Sequence, residues 1–364
     1  MSHFVLASLL PFALTALGAL GLTWAVWAAL AWFTLIVPIL DVALPRTLDA
    51  RLAQVESKAL PMVLGLAHLA LFPLVIVALS GATGLDQTAQ IGLFAATAMV
   101  FGQISASNAH ELIHAARSLP RQLGRIVYAT ILFGHHATAH PAIHHRFVAT
   151  PRDPNSARPG ESLYAFLPRA WIGSFHAGWN VEVRRLAQRG HSPWHATNPY
   201  LQDAAVVAVS LGVSAMLGGI AGVAAHLGIG TLAALQLLTS DYVQHYGLHR
   251  AKTASGKYEP LSARHSWNAP NVASRLMMLN APLHSEHHLH PATPFPALGA
   301  QSAAQGPMLP ASLPLMAALA FWPAQWHRIM GRELTKLHLA EAVPPMPRSR
   351  AQRAGAAERA ALGQ

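Results

Sequence analysis

Long uncharged runs dominate this chain of 364 residues. Four runs contain no Asp, Glu, Lys or Arg, and they cover residues 4–40, 59–85, 91–109 and 204–240. A helix that crosses a bilayer needs roughly 20 mainly apolar residues. The first and last runs are long enough for two crossings each, with turns near Gly18 and Gly21 and among the glycines of residues 218–230. The pattern therefore predicts six transmembrane helices.

Composition supports a membrane protein. Hydrophobic residues make up 52% of the chain and charged residues only 11%, whereas a soluble domain carries about 25% charged residues. We expect an all-α integral membrane bundle with a cytoplasmic helical cap. Residues 1–342 are predicted to form this single domain, and residues 343–364, rich in Pro, Arg and Ala, a disordered cytoplasmic tail.

The basic residues indicate the orientation. If the N-terminus is inside, the external turns fall near Gly18 and in residues 81–90 and 222–230, and none of these contains Lys or Arg. Basic residues accumulate on the cytoplasmic side of membrane proteins. The formal net charge of +10 is therefore explained by basic residues on the cytoplasmic side, where they contact anionic lipid. It does not indicate that the protein binds nucleic acid. We expect a multi-pass protein of a bacterial-type inner membrane, with both termini and the active site cytoplasmic.

Histidine is unusually frequent: 22 residues, against 15 for Asp plus Glu. Nine of them fall into three short segments and one lone position, all at or beyond the same predicted membrane surface: His110, His114, His140, His144, His145, His245, His284, His287 and His288. Residues four apart share a helix face, which pairs His110 with His114 and His140 with His144. His284 pairs with His287 and His288, while His145 is turned about 100° from His144 and could reach a second metal.

Nine imidazoles exceed the needs of one tetrahedral zinc ion and suit two metal ions. Imidazole binds Fe, Cu, Ni and Zn alike, so the residue type leaves the metal open. The absence of cysteine excludes thiolate-bound zinc, haem or iron–sulfur sites.

Other histidines have simpler interpretations. We expect His68, His226 and His327 to lie at the level of the lipid headgroups. The histidines near the main segments, His135, His136, His249, His265 and His290, are expected to support the ligands or to lie on the surface. His-Glu-Leu-Ile-His at residues 110–114 also matches a zinc-protease helix with Glu111 as general base, but that alternative leaves the other seven histidines unexplained.

Taken together, the segments HELIH, HPAIHH, HSEHH and DYVQHYG resemble those of the membrane alkane 1-monooxygenases, within the fatty-acid desaturase and hydroxylase superfamily. The resemblance covers residues 41–291 and includes the loop of residues 149–162. It implies that the nine histidines bind two irons and that the reaction is O₂-dependent hydroxylation of a terminal methyl group.

Two positions depart from the alkane enzymes, which usually have Glu where this chain has Ala139 and Gln244. Both replacements look like those of the xylene monooxygenase hydroxylase component, and residues 186–194 are similar to it as well. The resemblance therefore leaves open whether the methyl group belongs to an alkane or an alkylbenzene.

Neutral histidines leave the charge of two ferrous ions uncompensated, so nearby carboxylates should offset it. Glu111, Asp241 and Glu286 are the candidates. We expect an apolar or lipid substrate that enters from the bilayer. Electrons should come from a separate rubredoxin or flavin/iron–sulfur reductase, steered by the basic cytoplasmic face. A lipid desaturase of the same superfamily is the main alternative, while a metal transporter would require more ionisable residues within the spans.

Overall fold

The computed structural model describes residues 3–44, 59–299 and 304–342, which fold into helices joined by loops. Within these ranges there is no β-strand, and two isolated bridges pair Lys252 with Tyr258 and Asn268 with Met308. The predicted all-α class is confirmed for this part of the chain. The tail predicted to be disordered, residues 343–364, lies outside the described residues.

The helices follow one another with short connections. In chain order they are α1 (His3–Ala19), α2 (Thr23–Ala43), α3 (Leu60–Ala82), α4 (Gln87–Ile113), α5 (Ser118–Thr130), α6 (residues 136–147), α7 (Leu163–Ala187), α8 (Pro199–His245), α9 (Val272–Met277), α10 (His284–Leu289), α11 (Leu313–Leu319) and α12 (Pro323–Ala342). Side-chain caps begin several of them: Asp86 accepts from Ala89 N at 2.7 Å, and Asn198 accepts from Tyr200 N at 3.0 Å. Each cap satisfies a backbone N–H that has no partner in the first helical turn.

Four of these helices, α2, α3, α4 and α8, are long and apolar enough to cross a membrane. The apolar helix α1 has 17 residues and spans about 25 Å, less than a hydrocarbon core of about 30 Å. The molecule is therefore a membrane protein with four candidate spans, and the count of six remains a prediction.

Helix α8 turns back on itself at Gly219, whose φ is +56° and ψ −144°. The Ser214 hydroxyl lies 3.0 Å from His226 Nδ1, although these residues are 12 positions apart. A straight helix would separate them by about 18 Å. The turn lies among the glycines at which the sequence predicts a reversal.

His68 and His226 are buried between helices, so their predicted place at the headgroups is wrong. His68 Nδ1 lies 2.9 Å from the Ser105 hydroxyl, and its Nε2 lies 2.8 Å from the Thr130 hydroxyl. His226 Nε2 donates to the Thr130 carbonyl at 2.8 Å. A buried polar group is stable when it is hydrogen-bonded, and here the two imidazoles tie α3, α4, α5 and α8 together.

The chain divides into two compact units, residues 1–323 and 324–364. The histidine clusters and all cavities described below lie in the first unit. In the second unit, α12 carries an ion pair between Lys336 and Glu333 at 2.6 Å. The predicted single domain of residues 1–342 remains a prediction.

Candidate metal centre

The nine histidines singled out in the sequence lie together in two adjacent groups. We call them the five-histidine group (His110, His114, His140, His145 and His287) and the four-histidine group (His144, His245, His284 and His288). Within each group the nearest ring nitrogens all lie within 4.8 Å of one another. The groups are contiguous, since the ring centroids of His145 and His288 are 4.6 Å apart.

The partition between the groups differs from the predicted helix faces in the segment of residues 140–145. His140 was expected to share a face with His144, but it joins His145, while His144 belongs to the other group. Residues His140–His144 form a π-turn, in which His145 N donates to the His140 carbonyl. Because π-helical hydrogen bonds run from residue i to i+5, the fifth residue returns to the same side rather than the fourth.

The third segment is also divided. On α10, His284 and His288 are four residues apart and belong to the four-histidine group, whereas His287 points into the five-histidine group. The lone His245, at the end of α8, lies with its Nε2 2.9 Å from His284 Nε2. Helices α6 and α10 therefore each contribute to both groups, which holds the groups side by side.

Ring nitrogens converge at distances that suit ligands of a common metal ion. His140 Nε2 is 2.8 Å from His110 Nε2 and 2.9 Å from His145 Nε2. In the four-histidine group, His284 Nε2 is 2.9 Å from His245 Nε2 and 3.1 Å from His288 Nε2. At a metal–nitrogen distance of about 2.1 Å, two ligands at a right angle are about 3.0 Å apart.

Binding of a common metal ion explains these contacts between ring nitrogens better than hydrogen bonds between the rings do. Each imidazole nitrogen carries either one proton or one lone pair, yet His140 Nε2 faces two neighbours at once. His114 Nε2 and His144 Nε2 are buried and have no hydrogen-bond partner within the described ranges. A buried polar atom without a partner is costly, so a cation in each group would satisfy atoms that are otherwise left unpaired.

The electrostatic environment keeps most of these rings neutral, as metal binding requires. Burial, reinforced by the neighbouring His144, lowers the pKa of His114 to about 4. Burial and the neighbouring histidines lower the pKa of His145 to about 2 and bring the pKa values of His140 and His287 well below the ordinary value. Desolvation is the largest cause in each case.

His144 is the exception because a carboxylate supports it. Its Nδ1 lies 2.9 Å from Asp153 Oδ2. Burial alone would lower the pKa of His144, but the adjacent Asp153 carboxylate raises it above the ordinary value. An Nδ1–H donated to Asp153 leaves Nε2 free to bind a metal, an arrangement typical of metal-binding histidines. The sequence reasoning did not single out Asp153, although it lies in the loop of residues 149–162 that carried part of the resemblance.

A second support comes from His265, one of the histidines that the sequence predicts to support the ligands or to lie on the surface, and it contacts His245. The Nδ1 of His245 donates to the His265 carbonyl at 3.2 Å. Ser262 N donates to His265 Nδ1 at 3.0 Å, so His265 Nε2 carries the proton and donates to Glu259 at 3.1 Å. No spacing rule points to this chain of contacts, because its members come together only through the loop of residues 246–271.

The three carboxylates proposed from the sequence lie in different surroundings. Glu111 Oε1 accepts from Phe295 N at 3.2 Å. Asp241 is buried and accepts from Asn155 Nδ2 at 2.6 Å. Glu286 is half-buried on α10.

The remaining histidines near the site fall outside both groups, as expected. His135, His136 and His265 are buried, and His249 and His290 are exposed. His136 is of interest because it lines the cavity beside the metal-binding groups and its Nδ1 has no partner among the described residues.

An apolar cavity of about 560 Å³ lies among α2, α4, α8 and α11, with walls that include Phe33, Met99, Leu235 and Phe321. A smaller cavity of about 50 Å³ lies beside the histidines and is lined by residues of both groups and by Asp241 and Gln244. The two cavities adjoin, because four residues line both of them: Gly102, Ser240, Met278 and Leu313. The larger cavity therefore leads from the helices of the membrane region to the histidines.

The fold and the site together define a helical membrane protein with a histidine-rich candidate metal centre. The sequence pattern of the fatty acid desaturase family matches residues 87–320. The alkane 1-monooxygenase of Ectopseudomonas oleovorans is 34% identical over 242 residues, which are 66% of this chain and 59% of the relative. Alkane 1-monooxygenase 1 of Pseudomonas aeruginosa is 31% identical over 334 residues, 87% of this chain and 85% of the relative.

The chain therefore belongs to the fatty acid desaturase family, in the branch of the membrane alkane 1-monooxygenases. The matched region spans about 60% of the length of some of these relatives. The xylene/toluene monooxygenase hydroxylase component of Pseudomonas putida is a more distant relative, 27% identical over 333 residues, 87% of this chain and 85% of the relative.

Proposed function

We propose that this protein is a non-haem di-iron monooxygenase that hydroxylates a terminal or benzylic methyl group of an apolar substrate, using O₂. The observation that carries the proposal is the convergence of nine histidines, six buried and three half-buried, into two adjacent groups. The five-histidine group would hold one iron and the four-histidine group the other. The irons would supply the redox chemistry that activates O₂.

The chain's own residues would bind and position the substrate. The apolar walls of the 560 Å³ cavity favour a hydrocarbon over water, by roughly 25 cal/mol per Å² of apolar surface buried. Gly102 at the junction is packed against Gln236, because a Cβ there would lie 2.6 Å from Gln236 Cδ. A larger side chain at this position would displace Gln236, which also lines the larger cavity. A methyl group that passes this junction reaches the small cavity beside His110, His140 and His284.

The supporting residues would keep the ligands in position. Asp153 orients His144, and the His265 carbonyl orients His245. The carboxylates of Asp153 and Asp241 would offset part of the positive charge of the irons, and their burial strengthens that interaction.

Electrons would come from a separate protein such as rubredoxin or a flavin/iron–sulfur reductase, since this chain has no cysteine to hold an iron–sulfur centre. We place the protein in a bacterial-type inner membrane with the histidine site on the cytoplasmic side. The external turns predicted from the sequence contain no Lys or Arg, which supports this orientation.

Product analysis and metal analysis test the proposal together. Purified protein should contain about two irons per chain, and membranes supplied with a reductase should convert octane or toluene to an alcohol. The variant His145→Ala should lose iron and activity, while His191→Ala, at an exposed histidine outside both groups, should keep both. A single zinc per chain would refute the di-iron site, and an alkene product would instead identify a desaturase.

A further inference from the structure

A separate cavity of about 360 Å³ lies at the C-terminal end of α2, beside Leu44. Its polar walls are Asp41, Asn271 and Ser312, and its apolar walls include Val42 and Leu315. The nine histidines are absent from its lining. This cavity is therefore distinct from the proposed iron site.

Each of the three polar side chains presents a buried oxygen that can accept a hydrogen bond. Asp41 is 2% exposed, Asn271 4% and Ser312 1%. Asp41 Oδ2, Asn271 Oδ1 and Ser312 Oγ make no well-formed hydrogen bond within the described ranges. The Ser312 hydroxyl lies near the Asp41 carboxylate and can turn its proton towards it, which leaves the lone pairs of Ser312 Oγ available as acceptors. Leaving a buried acceptor unpaired is unfavourable, and more so for a carboxylate. Three such atoms on one cavity therefore indicate a ligand that donates hydrogen bonds.

Existing contacts hold these oxygens in place. Ser274 N donates to Asp41 Oδ1 at 3.0 Å, which leaves Oδ2 available. The Asn271 amide nitrogen donates to the Asp41 carbonyl at 3.1 Å, so its amide oxygen is the atom left over. The cavity thus offers one carboxylate oxygen, one amide oxygen and one hydroxyl, and among the residues that the structure describes no Lys or Arg lines it.

Size and position narrow the class of ligand. A volume of about 360 Å³ lies in the range of sites for small organic molecules, about 300–1,000 Å³. A bare calcium ion would need about six to eight oxygen ligands, more than these three side chains supply. Asp41 lies at the end of an apolar helix long enough to cross a membrane, Thr23–Ala43, where lipid headgroups are expected.

We propose that this cavity binds a primary ammonium group, presented by the headgroup of phosphatidylethanolamine. An ammonium group has three N–H donors, one for each of the three oxygens, and its charge complements Asp41. The apolar walls formed by Val42, Leu44 and Leu315 contact the carbon atoms of the lipid. This site is independent of the hydroxylase function, because it shares no residue with the histidine groups.

Lipid titration followed by native mass spectrometry of the full-length protein tests the assignment. Phosphatidylethanolamine should bind at one site per chain and at least about tenfold tighter than phosphatidylcholine, whose quaternary ammonium has no N–H donor. Asp41→Asn removes a charge-assisted hydrogen bond and should abolish this preference, since such a bond corresponds to a tenfold or greater change in affinity. Ala311→Phe should also reduce binding, because it fills the cavity and keeps all three oxygens.

A matched control and a milder variant make the test decisive. Asp86→Asn removes a carboxylate at an exposed helix cap and should leave the lipid preference unchanged. Should Asp41→Asn fail to fold, Ser312→Ala removes one acceptor and should reduce the preference severalfold. Equal binding of the two lipids, or an unchanged preference in these variants, would overturn the proposal. So would a divalent metal ion that is lost in Asp41→Asn, or free ethanolamine that binds while the lipid does not.

Discussion

The contact between Asp153 and His144 leads to the sharpest prediction. Asp153 is 2% exposed, and its Oδ2 lies 2.9 Å from His144 Nδ1 and 2.7 Å from the Ser156 hydroxyl. Its Oδ1 accepts from Asn155 N at 3.0 Å. The variant Asp153→Asn keeps the size of the side chain but cannot satisfy all these donors.

Either orientation of the new amide creates a conflict. If its NH₂ group faces His144, that ring must keep its proton on Nε2, where it cannot bind a metal. If the NH₂ group faces Asn155 N, two donors oppose each other in a buried site. Loss of such a supporting partner typically weakens metal binding by about 10–100-fold, or about 1.4–2.8 kcal/mol.

Equilibrium iron titration of the purified variant measures this effect. We expect the four-histidine group to lose affinity and the five-histidine group to keep it, so the stoichiometry at limiting iron should fall from about two to about one per chain. Glu333→Gln, at a carboxylate in the second unit, is the control and should bind iron like the wild type. If Asp153→Asn is folded and binds two irons with unchanged affinity, the assignment of Asp153 as the support for His144 is refuted.

Three further predictions concern the cavity, the buried histidines and pH. Gly102→Val should close the junction between the two cavities and reduce turnover of long substrates while the iron content stays constant, as product assays and metal analysis would show. His68→Ala leaves two buried hydroxyl groups without their partner and should destabilise the protein by about 1–3 kcal/mol, seen as a lower unfolding midpoint with both irons retained. In the metal-free protein, burial lowers the pKa of His114 to about 4 and of His145 to about 2. The unfolded chain takes up these protons near pH 6.5, so stability should fall as the pH drops below about 6.5; equal unfolding midpoints at about pH 7 and about pH 5 would contradict this.

Much of the chemistry was predictable from residue type and spacing. The uncharged runs predicted apolar membrane helices, and the nine histidines that the spacing singled out are the nine that form the two groups. His110 and His114 lie on the same helix face, as predicted for residues four apart, because the end of α4 is a regular α-helix. Helix α8 reverses at Gly219, which lies within the glycine-rich segment where the sequence predicts a turn.

The division of the histidines was decided by the tertiary structure. Because residues 140–144 form a π-turn, His144 and His145 belong to different groups. The prediction from the sequence assumed a regular helix with 3.6 residues per turn and therefore paired His140 with His144. The burial of His68 and His226 was missed for a related reason, since their partners Ser105, Thr130 and Ser214 lie on other helices or beyond a turn.

The sequence by itself determined that this is an apolar, helical protein with a surplus of metal-binding imidazoles, because composition and local spacing are properties of the chain alone. Only the tertiary structure decided which imidazoles face one another, that Asp153 supports His144, and that Asp41, Asn271 and Ser312 share one cavity. The physical reason is that these contacts join segments far apart in the chain. Their formation depends on how the helices pack, and short-range sequence patterns do not record helix packing.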